Sequence, residues 1–379
     1  MPHMPASPSQ ERILVRGVNW LGDAVMTTPA LQRLREAHPA ARIALLTPAK
    51  LADLWKSHPD IDEVVTFDPG ENLWAVARRL RRLRFTTALV LPNSPRSALE
   101  VFLAGIPRRI GYARPWRNWL LTERVSPRAA EFPMRKRSPA EIARLTSGAM
   151  NPTKPPGAGS HHIHQYLRLA AALGASSEAA PPRLNITPPE VEAVRRRFGF
   201  QEHPGARLVG LNAGAEYGPA KRWPLENFVA VAKLLRAREP IHFWILGGAA
   251  DVEFAEGLAA HLARDNGPES VQCLAGQTTL RELCAVLKAC DAVLTNDSGP
   301  MHVAAAVGTP VIVPFGSTSA ALTGPGWPEP GVAARHQLLT AGAPCSPCFL
   351  RVCPIDFRCM TGISASRVAE AVLTALGPE

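Results

Sequence analysis

Four polar turns hold the residues whose types and spacing could do chemistry. In Arg16-Gly17-Val18-Asn19-Trp20-Leu21-Gly22-Asp23, a strand-like run ends at a carboxylate. Asp23 there could take a proton from a substrate hydroxyl, or it could simply cap the helix that follows. Gly22 lets a substrate approach the backbone closely, and Asn19 shares that acceptor side. In the second turn, Asn212 leads through Ala213-Gly214-Ala215-Glu216-Tyr217-Gly218-Pro219-Ala220 to Lys221-Arg222-Trp223-Pro224. Gly214 and Ala215 leave the backbone open, and Lys221 is a mobile point charge suited to a diphosphate. The third turn, Gly247-Gly248-Ala249-Ala250-Asp251, offers a carboxylate for a ribose hydroxyl or for a helix cap. The fourth is Asn296-Asp297-Ser298-Gly299-Pro300-Met301-His302. Pro300 suits a first helical position, where outward N–H groups attract anions, and Asp297 and His302 add polar groups to that cradle. The plainer alternative is that Asp297 or Ser298 caps the helix and His302 is packed or solvated.

The elements that position these turns alternate. Ile13–Val15, 42–47, 64–67, 88–91 and 109–112 read as short strands, and leucines at three- and four-residue spacing fill the gaps with helices. A second series follows at 208–211, 241–246, 271–274, 292–294 and 311–313, with Thr279 and Glu282 as a capping box. The pattern predicts an α/β chain of two Rossmann-like domains whose parallel sheets face an interdomain cleft. Residues 1–185 form the first domain and 186–360 the second, with a terminal helix in 361–379 packing back on the first. The Pro-, Gly- and Arg-rich stretch 127–160, containing Met134-Arg135-Lys136-Arg137, reads as a mobile insertion.

A chain of 379 residues is long enough for two cores. Its net charge of +10 points to anionic partners. No zinc-finger or RNP-like pattern accompanies that charge, so nucleic acid is not expected. No apolar stretch is long enough to span a bilayer and the first residues are polar, so a cytoplasmic protein is expected. The arginines at 78, 79, 81, 82 and 84 fall at helical spacing and read as a solvated helix face, with lipid phosphate as the alternative partner. Among the seven cysteines, Cys273, Cys284 and Cys290 sit in contexts that suit buried thiols. Cys345, Cys348, Cys353 and Cys359 cluster like a compact zinc knot, with free thiols or labile disulfides as the alternatives.

The Trp20-Leu21-Gly22-Asp23 turn, the 213–224 string, the 296–302 turn and Cys345-Ser-Pro-Cys348 together resemble the lipopolysaccharide heptosyltransferases of glycosyltransferase family 9. The resemblance implies a GT-B fold, an ADP-heptose donor and a heptosylated Kdo2–lipid A acceptor. The reaction is expected to be inverting, with no cofactor and no essential metal, because no Asp-x-Asp motif follows a strand as a metal clamp. The basic charge predicts a protein, expected to be a monomer, docked at the anionic cytoplasmic face of the inner membrane. The resemblance assigns the acceptor to the first domain and the donor to the second. Asp23 becomes the general base and Lys221 a catalytic contact to the donor phosphates. Gly214, Ala215, Asp251, Asp297, Ser298, Gly299 and His302 complete the donor site. The alternatives are another heptosyltransferase type of the family, or an epimerase or sugar-nucleotide-binding protein on the same architecture.

Overall fold

The computed structural model describes residues 11–127, 132, 134–152, 156–200, 205–325 and 335–377. They fall into two compact units, one from Met1–Glu131 and His162–Ala180, the other from Phe132–His161 and Pro181–Glu379.

In the first unit, β1 (Arg12–Arg16), β2 (Arg42–Pro48), β3 (Glu63–Phe67), β4 (Thr87–Val90), β5 (Arg108–Tyr112) and β6 (Glu123–Val125) make one sheet, in the order β3-β2-β1-β4-β5-β6. All its pairings are parallel. The second unit repeats this plan with β7 (Arg207–Asn212), β8 (Ile241–Ile245), β9 (Val271–Cys273), β10 (Ala292–Thr295), β11 (Val311–Phe315) and β12 (Gln337–Thr340). Its order is β9-β8-β7-β10-β11-β12, again all parallel. Both are doubly wound parallel sheets, the two Rossmann-like domains that the alternation of elements predicts.

Helices cover both faces of each sheet, which is why β1 and β10 read as unbroken apolar runs rather than alternating ones. Ile13, Leu14, Val15, Ala292, Val293 and Leu294 are all fully buried. In each sheet the strand order reverses once, between β1 and β4 and between β7 and β10. Ligands of such sheets bind beyond the strand C-termini at that reversal. The Asp23 turn leaves β1, the Lys221 loop leaves β7 and the Asp297 turn leaves β10.

Two sequence expectations change. The terminal helix, Ala365–Leu376, packs within the second unit: Val368, Ala369, Val372 and Leu376 share a core with Val209, Phe228 and Leu294. The 127–160 stretch is not structureless. Ser138 and Glu141 form a capping box on a helix at Pro139–Thr146, whose Ile142 packs against Cys345 and Cys348. Residues 128–131, 133 and 153–155 of that stretch lie outside the described residues, as do residues 1–10 of the polar N-terminus. Strands β6 (Glu-Arg-Val) and β12 (Gln-Leu-Leu-Thr) are too short and too polar to stand out as apolar runs in the sequence.

Candidate active site

Two loops from neighbouring strands build the centre of the second unit. Asn212, the last residue of β7, stands in register with Thr295 at the end of β10. Its Nδ2 donates to Thr295 Oγ1 at 2.9 Å and to Ser298 Oγ at 3.0 Å. Asn296 is fully buried; its Nδ2 donates to the Ala213 carbonyl at 2.7 Å and its Oδ1 accepts from the Trp223 N–H at 3.0 Å. One amide thus pins both ends of the loop that carries Lys221. Replacing it would leave two buried backbone groups unpaired, at a cost of about 1–3 kcal/mol each.

So held, Lys221 Nζ lies 2.6 Å from Asp297 Oδ2, with side-chain exposures of 14% and 5%. Thr318 Oγ1 donates to the same oxygen at 2.5 Å. Asp297 is therefore spent on Lys221 and Thr318 and does not cap the following helix. Ser298 is the N-cap residue of Gly299–Ala306, yet it makes no side-chain capping bond. Its hydroxyl is turned to Asn212, so no side chain of the cap occupies the first N–H groups of the helix. His302 is buried on the same helix. Tyr217 stacks under two cations, Lys221 at 4.8 Å and Arg351 at 5.2 Å from its ring centroid. Its phenol donates to the Phe349 carbonyl at 2.7 Å, and burial raises its pKa.

Asp251 reaches the same loop from β8. Its Oδ2 accepts from the Gly248 N–H at 3.2 Å, closing its own turn, and Arg222 stands 4.0 Å away. A Cβ on Gly214 would lie 3.0 Å from this carboxyl, so the glycine is what lets the carboxylate approach. Ala215 is buried beside it.

In the first unit, Asp23 occupies the first turn of a helix at Leu21–Met26, half-buried, with Gly22 in the same turn. The Tyr166 hydroxyl stands 3.5 Å from Asp23 Oδ1. Burial first, and then the charge of Asp23, push the Tyr166 phenol well above its usual range. Tyr166 consequently stays protonated and faces the carboxylate as a donor. Asn19 is exposed and accepts from Arg16 Nη1 at 3.1 Å. Arg16 itself is buried, paired with Glu100 at 2.7 Å and lying 4.5 Å over the ring of Phe67. The turn ahead of Asp23 is anchored through that pair.

The sequence model of glycosyltransferase family 9 (heptosyltransferase) matches residues 141–357. Over 331 residues the chain is 31% identical to lipopolysaccharide heptosyltransferase 2 of Escherichia coli K12, covering 83% of this chain and 85% of that protein. The chain belongs to glycosyltransferase family 9. The solved structure of the E. coli ADP-heptose LPS heptosyltransferase II superposes with a TM-score of 0.75 at 27% identity, across 96% of this chain and 98% of that one. The E. coli heptosyltransferase WaaC with ADP-2-deoxy-2-fluoro heptose shares the fold, with a TM-score of 0.63 at 16% identity over 95% and 98% of the two chains.

Several residues of this family 9 site were not singled out from sequence. Thr318 follows β11 in a plain Gly-Ser-Thr run, with nothing to mark it as a partner of Asp297. Tyr166 lies far along the chain from Asp23. Arg16 did leave a signal: a lone cation ending an apolar strand must find a buried partner. Asn296, two residues before the N-cap, belongs to a motif that was read, but its role as a clamp needed the fold.

Proposed function

We propose that this chain transfers a heptose from ADP-heptose to the first heptose of a Kdo2–lipid A core, with inversion at the anomeric carbon. The observation that carries the reading is the Lys221–Asp297 pair, set beside an uncapped helix start where two loops leave adjacent strands at the reversal of strand order. The kinship with heptosyltransferase 2 supplies the sugar and the acceptor.

In this mechanism Asp23 of the first unit accepts the proton of the acceptor hydroxyl as that oxygen attacks the anomeric carbon. The bond from that carbon to the phosphate oxygen breaks and ADP leaves. Negative charge then grows on the diphosphate. Lysine has three donors, and Asp297 engages one; the others, with the N–H groups of Gly299 and Met301 at the helix start, stabilise the departing charge. Donors preorganised in this way are worth roughly 3–4 kcal/mol each, so they can serve where other transferases use a divalent ion. Ser298 and His302 line the donor sugar and phosphates, and Asp251 with Gly214 and Ala215 borders the nucleoside. Gly22 and Asn19 border the acceptor.

The test is transfer of one heptose from ADP-heptose to a purified heptosylated Kdo2–lipid A, read by mass spectrometry, for the wild type and for Asp23→Asn. General-base catalysis is typically worth 10²–10⁴ in rate, so the variant should lose about a hundredfold or more. Turnover within about tenfold of wild type would remove Asp23 from the role.

A further inference from the structure

We propose that Cys345, Cys348, Cys353 and Cys359 form a tetrathiolate site for one divalent metal ion of the zinc or ferrous class, whose role is to brace the loop carrying Lys221. The four lie within fifteen residues, spaced C-x2-C-x4-C-x5-C. In the fold they converge: all four line one void of about 10 Å³, with Ile142, Ala220, Ser317 and Phe357 among its other walls. All four are free thiols, and Cys345, Cys348 and Cys359 are buried.

Each of these features has a cost that a metal would offset. Four sulfurs gathered on one void form a donor set that a soft dication binds as thiolates. The Arg137 N–H donates to the Cys348 carbonyl at 3.0 Å, which brings a cation to the same loop. Ser317 Oγ is buried on the rim of the void without a hydrogen-bond partner among the described residues, the position of a donor to a ligating sulfur. Phe349 and Phe357 both hold positive φ, 56° and 61°, on either side of Cys353. A bulky residue persists in that region only where its surroundings force it.

Among the described residues no three such side chains already stand at metal-bonding spacing. The sulfurs ring the void as thiols, and binding requires that four thiol protons leave to solvent as the ring closes. The consequence for the active site is direct. Ala220 N–H donates to the Arg351 carbonyl at 2.9 Å, the Tyr217 hydroxyl to Phe349, and the Cys348 and Phe349 N–H groups to the Ser317 carbonyl at 3.1 and 2.7 Å. The next residue, Thr318, holds Asp297. The cysteine loop therefore touches the Lys221 loop and its carboxylate partner from behind.

The experiment is elemental analysis of the full-length protein purified under reducing conditions, without added chelator, together with thiol titration. The expected result is about one zinc or iron per chain, with four more thiols reacting after a strong chelator is added than before it. A ferrous tetrathiolate would absorb in the near ultraviolet and zinc would not, which separates the two occupants. Cys353→Ser, at the half-exposed position, should lose most of the metal, while Cys273→Ser, outside the loop, should retain it. Hydrogen exchange on the wild type, with and without chelator, needs no variant to fold: residues 214–223 should lose protection on metal removal and β1 should not. Less than about 0.1 metal per chain even after incubation with zinc, or four loop thiols that titrate freely, would overturn the site. Metal removal that leaves exchange in 214–223 unchanged would overturn its bracing role. None of these readings depends on heptose transfer.

Discussion

At the scale of residues, the Lys221–Asp297 pair makes separable demands on stability and on catalysis. Both groups are largely buried, so each charge is tolerated because the other is present. Removing one partner of such a pair typically costs about 3–5 kcal/mol, whereas removing both can be nearly neutral. Lys221→Met and Asp297→Asn should therefore each lower the urea unfolding free energy by roughly 3 kcal/mol, and the double variant should regain most of it. Transfer activity should follow a different rule: with Lys221 gone, the double variant stays at least about a hundredfold down in kcat/KM. Strictly additive destabilisation in the double variant would mean that the two charges do not depend on one another. Sequence made Lys221 visible as a cation after a small-residue loop, and Asp297 visible as a polar residue before Pro300. It left open whether Asp297 caps the helix, because a carboxylate at that spacing satisfies either geometry. The register of Asn212 with Thr295 settles where that carboxylate can reach, and a register between strands 83 positions apart is not written in either local segment.

At the scale of elements, the runs that read correctly are those whose apolar content is set by burial on both faces, such as β1, β8 and β11. The terminal helix was legible as a helix, but its address was not. An apolar face states that it must be covered and does not state by what; here β10, β11 and the helix at Leu225–Arg236 cover it. Two turns depend on a neutral histidine. His58 Nδ1 accepts from the Asp60 N–H at 3.3 Å ahead of β3, and His336 Nδ1 accepts from the Val311 N–H at 3.3 Å at the start of β11. Burial lowers both pKa values to about 4. Between the usual value near 6.5 and about 4, the unfolded chain binds protons that the folded chain refuses, so stability is present above that window and is lost as pH falls through it. For buried His58 the loss amounts to about 2–3 kcal/mol. Chemical denaturation at intervals between pH 7 and pH 4 should show this slope, and His58→Gln should flatten it. An unchanged slope in the variant would assign the acid sensitivity elsewhere.

At the scale of the whole molecule, charge and aromatic exposure point to where the protein works. Among the described residues no helix is long and apolar enough to cross a membrane. The chain nonetheless carries a net charge of +10, and the lipid-linked acceptor proposed above would keep it beside an anionic surface. The first unit exposes Trp74, Trp116 and Trp119. Trp119 packs edge-on against Phe102, 5.7 Å away, and Arg109 lies over that same ring. On the helix at Leu73–Arg82, Arg78 and Arg82 are exposed. Tryptophan prefers the headgroup region, and each cation near an anionic leaflet contributes about 1 kcal/mol that falls off within a Debye length. The protein should therefore sediment with phosphatidylglycerol-containing vesicles at low ionic strength, stay free of neutral phosphatidylcholine vesicles, and release at about 0.5 M salt, where screening shortens the field to a few ångströms. Replacing Trp116 and Trp119 by alanine should weaken what binding remains at intermediate salt. Equal binding to neutral vesicles, or binding indifferent to salt, would break the proposed link between the basic surface and an anionic membrane.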